Sequence, residues 1–219
     1  MDKLRLRFEK TGRAVYISHL DLMRVLQRGF TRAGLKLKYS EGFNPHAVLS
    51  VCLPLSVGMG SVCELMDFRL AEDTDLAALP EKLNAALPEG IRAMEVYPQQ
   101  RKIAELKWLC VDGRFDYDHR DTEELAPRLM DFFSAETRMV SRRTKRGEAP
   151  FDLAPHILSL SVWPGEGSVA VQAVLSAQEP TVNPELLVAA LRFDAPELAP
   201  DFAFFTRVET YDADMGLFR

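Results

Sequence analysis

Two histidines and a run of arginines are the residues of this chain whose types and spacing could do chemistry. His19 and His46 carry imidazoles that exchange protons near neutral pH, so the pair could serve as acid and base in a metal-independent cleavage of a phosphodiester. His19, at the start of a helix, could equally make only a local hydrogen bond. Arg24, Arg28 and Arg32 recur at i, i+4 and i+8, which lines them along one helix face. A guanidinium keeps its charge and matches phosphate oxygens with a fork of donors, so the stripe suits an RNA backbone or another phosphorylated ligand. An ordinary solvated helix face has the same pattern.

The second cluster is Tyr39-Ser40-Glu41-Gly42-Phe43-Asn44-Pro45-His46. Gly42 permits backbone angles that other residues avoid, and Asn44-Pro45 sets a turn before the next strand. Phe43 is an aromatic in a polar loop, placed either to stack on a base or to plug the edge of the core. Tyr39, Gly42, Phe43, Asn44 and His46 therefore join the three arginines as candidate RNA or phosphate contacts. Further along, Arg138, Arg142, Arg143, Lys145 and Arg146 precede Gly147. Arg142, Arg143 and Lys145 read as a second phosphate contact or as a solvated hairpin tip, and strand alternation lets only part of the run meet one ligand.

Charge supports attention to the first of these regions. The net charge is -5 over 219 residues, yet residues 1–46 hold ten Lys/Arg against four acids. From Glu179 onward eight acids face three arginines. A basic surface for an anionic partner fits this split, as does an intramolecular match between the two ends. The chain shows no Walker loop, dinucleotide glycine fingerprint, serine-hydrolase elbow or HExxH pattern, which disfavours most familiar enzyme classes. Cys52, Cys63 and Cys110 are too few for a disulfide scaffold and fit a reducing compartment. Cys52 and Cys63 would be cross-strand neighbours if a hairpin turned near Val57-Gly58, but two thiols do not complete a zinc site. No metal site is expected. Charge begins at once with Asp2 and Lys3, unlike a signal peptide, and the most apolar stretch, Ala47 to Met66, is broken by Pro54, Gly58, Gly60 and Glu64. A cytoplasmic protein without a membrane segment is expected.

The elements that must hold these residues follow from periodicity. Lys3 to Glu9 alternates as a strand, and Ser18 caps a helix running to about Ala33, with Asp21 facing its positive end and Gly34 closing it. Val48–Leu53 and Val62–Leu70 read as strands, Asp75–Leu87 as a helix, and Ile91–Tyr97 as a strand. A similar order recurs: strand 106–117, helix 122–135, strand 137–143, a hairpin of 157–163 and 168–177, a helix opened by Asn183-Pro184, and strand 204–211. The run 144–156 reads as irregular. The fold class expected is α+β, two tandem ferredoxin-like halves (β-α-β-β-α-β) spanning residues 1–98 and 104–219.

The run SHLDLMRVLQRGFTRAGLKLKYSEGFNPHAVLSVCLPLSVGMGSVCEL, residues 18–65, resembles the radical-SAM-linked (radical-SAM-associated) protein family of unknown function. SRRTKRGEAPFDLAPHI, residues 141–157, is similar to that family's second motif. Members occur alone or as extensions of radical SAM enzymes, and free-standing genes often neighbour a ribonuclease of the E/G type. The resemblance implies a separate radical SAM enzyme as partner, and RNA as a further one. The CxxxCxxC motif that binds the 4Fe-4S cluster in that chemistry is not in this sequence. The resemblance therefore assigns the cluster and S-adenosylmethionine to the partner and no cofactor to this chain. Tandem ferredoxin-like halves also resemble the architecture of CRISPR repeat-processing endoribonucleases, an analogy of fold alone. Three functions stay open: an accessory protein that presents RNA (tRNA or rRNA) to a radical SAM enzyme, a metal-independent endoribonuclease, and a protein-interaction scaffold without nucleic acid.

Overall fold

The computed structural model describes residues 3–144 and 147–219 and, within them, every side chain except those at 143 and 144. The chain divides into two compact units, Met1–Glu105 with Arg219, and Leu106–Phe218. It is α+β, with four α-helices among the described residues. None of these is long and apolar enough to cross a membrane.

In the first unit β1 (Leu4–Lys10) leads through a 3-10 turn to α1 (His19–Arg32). β2 (Leu49–Val51), β3 (Gly60–Phe68), α2 (Leu79–Asn84) and β4 (Ile91–Pro98) follow. The strands lie in the order β4-β1-β3-β2, each pair antiparallel. Alternation in β1 commits Leu6 and Phe8 to the core. α1 adds Leu22, Leu26 and Phe30, and the Phe30 ring meets Phe68 at 4.9 Å between centroids. Burying side chains of this size contributes roughly 1.5–3 kcal/mol each.

Arg5, on the opposite side of β1, is buried against Asp67 across the ladder. Its Nε donates to Oδ1 at 2.7 Å and its Nη2 to Oδ2 at 3.3 Å, while Lys3 and Gln99 also reach Oδ2. Burial pushes the Asp67 carboxyl up, but the bonds and charge of Arg5 and Lys3 outweigh it and hold the group below the usual carboxylate range.

Two elements are shorter than periodicity predicts. α2 begins at Leu79, not Asp75, because Pro80 suits a first turn and Asp75 instead accepts the backbone N–H of Ala77. Asn84 then ties the end of α2 to β4, exchanging two hydrogen bonds with the Ala93 backbone at 2.9 and 2.7 Å. β2 keeps only three residues. Cys52 donates its N–H to the Leu65 carbonyl, so its opposite neighbour is Leu65 rather than Cys63.

The second unit holds β5 (Trp108–Asp116), α3 (Thr122–Phe133), β6 (Met139–Thr144), β7 (Gly147–Asp152), β8 (Ile157–Gly165), β9 (Ser168–Ser176), α4 (Glu185–Asp194) and β10 (Phe202–Tyr211). The sheet order is β10-β5-β9-β8, again with antiparallel pairs. The run expected to be irregular contains a strand, β7. It pairs with β6 in a separate two-stranded ribbon, so β8 rather than β6 lies beside β9. Pro150 in β7 is tolerated because a two-stranded ribbon leaves each strand an open edge.

Candidate nucleic-acid interface

α1 and the loop that follows it carry most of the candidate residues. Ser18 caps the helix, its Oγ accepting the Asp21 N–H at 3.2 Å and donating to Asp21 Oδ2 at 2.7 Å. Arg24 Nη1 completes the chain at 3.0 Å from Asp21 Oδ1. The Ser18 hydroxyl, and after it Arg24, hold the Asp21 carboxyl below its ordinary range. The positive end of α1 is thus answered by its own carboxylate, which leaves less of it for a phosphate.

The three arginines have three different situations. Arg24 is exposed but paired with Asp21. Arg32 donates from Nε and Nη2 to the Ala86 carbonyl at 3.1 and 2.6 Å, a clamp between α1 and the turn after α2. Arg28 is exposed, and no hydrogen bond or ion pair with another described residue engages its side chain. Lys38, exposed at the start of the loop, keeps its side chain similarly open, although its backbone is held by Arg69 and Val48. The three arginines therefore differ in what engages them, and the stripe is not a uniform phosphate ladder.

The loop is built from its base upward. Tyr39 and Ala47 form an antiparallel bridge, and Ser40 donates its N–H to the His46 carbonyl at 2.8 Å. Ser40 Oγ lies 2.9 Å from His46 Nδ1 and accepts the His46 N–H at 3.1 Å. Tyr39 is half exposed, its hydroxyl taking a long 3.4 Å bond from Gln27 on α1. It also borders a groove of about 500 Å³ lined by Thr31, Gly34, Lys36 and Leu37. Above that base Gly42 has φ +125°, a conformation that L side chains rarely adopt. Phe43 follows with full exposure (111%), and Asn44, Pro45 and His46 are exposed as well. The alternative of a core plug is overturned: no part of the Phe43 ring is buried.

His19 opens α1, and its Nδ1 is buried with no hydrogen-bond partner among the described residues. His46 has Nδ1 committed to Ser40, leaving Nε2 as its remaining polar atom. No hydrogen bond links the two rings.

In the second unit Arg142 donates to the Thr181 carbonyl at 3.2 Å, and its guanidinium lies 5.1 Å from the centre of the Phe151 ring. Phe151 in turn stacks on His156 at 5.0 Å and 9° between planes. The expected phosphate contact at Arg142 is therefore already partnered. Lys145 lies outside the described residues, as does the side chain of Arg143. Ser40, Phe151 and His156 lie in stretches that the sequence singles out, but nothing in the sequence assigns them a role. Ser40 meets His46 across six residues, and His156 returns to Phe151 through the 3-10 turn Ala154–His156, pairings that no helix or strand period announces. Of the thiols, burial pushes Cys52 up to about 12 and Cys110 up to about 11, so both are poor nucleophiles and poor metal ligands. No group of three or more candidate metal-ligating side chains occurs among the described residues.

Among solved structures, a chain from the crystal structure of a Cbf5-Nop10-Gar1 complex is similar at 10% identity and a TM-score of 0.52. That match covers 94% of this chain and 48% of the other, so this chain spans about half the length of its structural relative. It supports the α+β fold alone. An unknown protein from Galdieria sulphuraria matches over 94% of this chain and 98% of its own, at 10% identity and a TM-score of 0.27, too low to carry an argument. No curated protein matches the chain. The family described as "Uncharacterized protein conserved in bacteria (DUF2344)" matches residues 3–184, and with that span of continuous agreement the chain belongs to this family.

Proposed function

We propose that this protein is an accessory RNA-binding module that presents tRNA or rRNA to a separate radical SAM enzyme, with the 39–47 loop and the outer face of α1 as the contact surface. The observation that carries the reading is Phe43, fully exposed at the apex of a loop closed at its base by Ser40 and His46. Leaving such a ring in water forgoes roughly 1.5–3 kcal/mol of burial, and the open cations Arg28 and Lys38 border the same loop and helix. Together they offer an aromatic face and positive charge, the two features by which proteins hold RNA. The strand orders β4-β1-β3-β2 and β10-β5-β9-β8 support reading each unit as ferredoxin-like, the second with β6–β7 inserted. The resemblance of residues 18–65 and 141–157 to radical-SAM-linked proteins supports the partner. The cluster and S-adenosylmethionine belong, on this reading, to that partner.

The test is fluorescence anisotropy with labelled bulk tRNA across a salt series. Binding that weakens steeply with salt, and less steeply in Arg28→Ala, is the expected result. No binding at low salt would reject the reading. A second reading, a metal-independent endoribonuclease, draws on the fixed His46 ring, whose Nδ1 contact with Ser40 leaves Nε2 for proton transfer. It requires RNA cleavage in EDTA that disappears in His46→Ala.

A further inference from the structure

We infer that the 39–47 loop takes an unpaired nucleobase on the face of Phe43, so that the RNA it selects is single-stranded, looped or bulged rather than duplex. This rests on the RNA-binding reading and narrows it. The loop geometry denies Phe43 any refuge. Its two legs are joined at Tyr39 and Ala47 and again at Ser40 and His46, so the apex stands three residues from a pinned base on either side. Gly42 makes the turn at φ +125°, with no atom beyond its two chain neighbours within 4 Å of where a Cβ would be, and Pro45 stiffens the returning leg. The apex is therefore free of protein neighbours, and the ring is held outward by a short, braced support.

The surroundings favour a nucleotide over an apolar partner. In sequence, Phe43 lies among Ser40, Glu41, Gly42, Asn44, Pro45 and His46, with no second large apolar side chain between Ser40 and His46, and Lys38 precedes the loop. Only one aromatic is bare at the apex, whereas a protein hot spot gathers several apolar anchors in one well-packed patch. A nucleobase needs only one flat face to stack on, with cations near enough to meet the attached phosphates. A duplex hides its base faces in the stack, and recognition of RNA bases is accordingly made at unpaired positions. Tyr39, half exposed at the foot of the loop and bordering the groove beside Lys36, offers a place for the neighbouring nucleotide.

The experiment compares an unstructured oligoadenylate of about 12 nucleotides with an RNA duplex of similar length, a span within common single-strand site sizes, using the full chain and its Phe43→Ala and Phe43→Trp variants. The expected results are tighter binding of the single strand and a loss of roughly 5- to 150-fold in Phe43→Ala. Phe43→Trp should retain binding, with its indole emission quenched by the stacked base. Phe43 is fully exposed, so neither variant threatens folding. Equal affinity for both probes, or salt-dependent binding indifferent to Phe43→Ala, would overturn the inference and leave the RNA-binding reading standing. Failure of both probes and of bulk tRNA to bind at low salt would remove the reading and the inference together.

Discussion

Each unit of this protein has a connection from its first helix to the strand at the edge of its sheet, and each connection carries one phenylalanine that the two units treat in opposite ways. In the first unit, the connection from α1 to β2 raises Phe43 on a hydrogen-bonded base and leaves the ring bare. In the second, the connection from α3 to β8 becomes the β6–β7 ribbon, and Phe151 is met by His156 and Arg142. Both rings stand in polar, glycine-containing stretches beside basic residues. What separates them is whether the backbone brings another group back onto the ring. A ring already stacked has little face left to offer, whereas the bare one has no intramolecular competitor. On the proposed reading, a binding role falls to the first connection and a structural role to the second.

That contrast can be broken at several points, the largest first. The first unit can display a bare ring only if its frame is rigid, and the Arg5–Asp67 pair is part of that frame. Asp67→Asn should cost about 3–5 kcal/mol in urea unfolding, because it leaves the buried Arg5 charge uncompensated. The sign of the pH effect follows from the depressed carboxyl. Its stabilisation is complete above the ordinary carboxylate range of about 4 and lost as pH falls through the folded value. Acid unfolding of the wild type should therefore steepen below that range, and Asp67→Asn should flatten the dependence.

Phe151→Ala comes next, with an expected loss of roughly 2–3 kcal/mol from the vacated stack. Phe43→Ala should change stability by less than about 0.5 kcal/mol, as exposed substitutions do. If chemical denaturation finds the two equal, the distinction between bare and covered rings is wrong. Between these lie Gly42→Ala and Gly147→Ala. Both glycines have positive φ, +125° and +118°, with open space around them. Each substitution should cost about 1–2 kcal/mol for backbone strain, but only Gly42→Ala should also weaken RNA binding. The smallest effect is Arg28→Ala, which should leave the melting temperature alone and reduce the salt slope by about one phosphate contact. An unchanged slope would move the phosphate path away from α1.

Much of the frame is legible in the sequence. Ser18 and Asp21 announce the start of α1 because a cap and a first-turn acid answer the same free N–H groups. Leu22, Leu26 and Phe30 announce its buried face by their spacing. The ends were harder: β2 and α2 came out shorter because Pro54 and Pro80 act locally, through single backbone positions that periodicity averages over. The β6–β7 ribbon was half visible, its first strand from alternation and its second masked by Pro150. Arg24, Arg28 and Arg32 form a set in the sequence, yet of these three only Arg28 keeps an open guanidinium. Arg24 and Arg32 are engaged by Asp21 and by the Ala86 carbonyl, and the latter lies 54 positions away.

The sequence by itself determined the order of elements, the faces they bury, the concentration of positive charge in the first 46 residues and the turn at Gly42. Those depend on interactions within a few residues of one another or on composition, and a linear chain displays both. Only the tertiary structure decided which aromatic stays bare, which cations stay open and which histidine is anchored. Each of those outcomes depends on where the folded backbone returns a group that no helix or strand period places: His46 to Ser40 and His156 to Phe151 through local turns, Ala86 to Arg32 across 54 positions. Phe43 receives nothing, and it is this unfilled face that turns an ordinary polar loop into the candidate seat of a base.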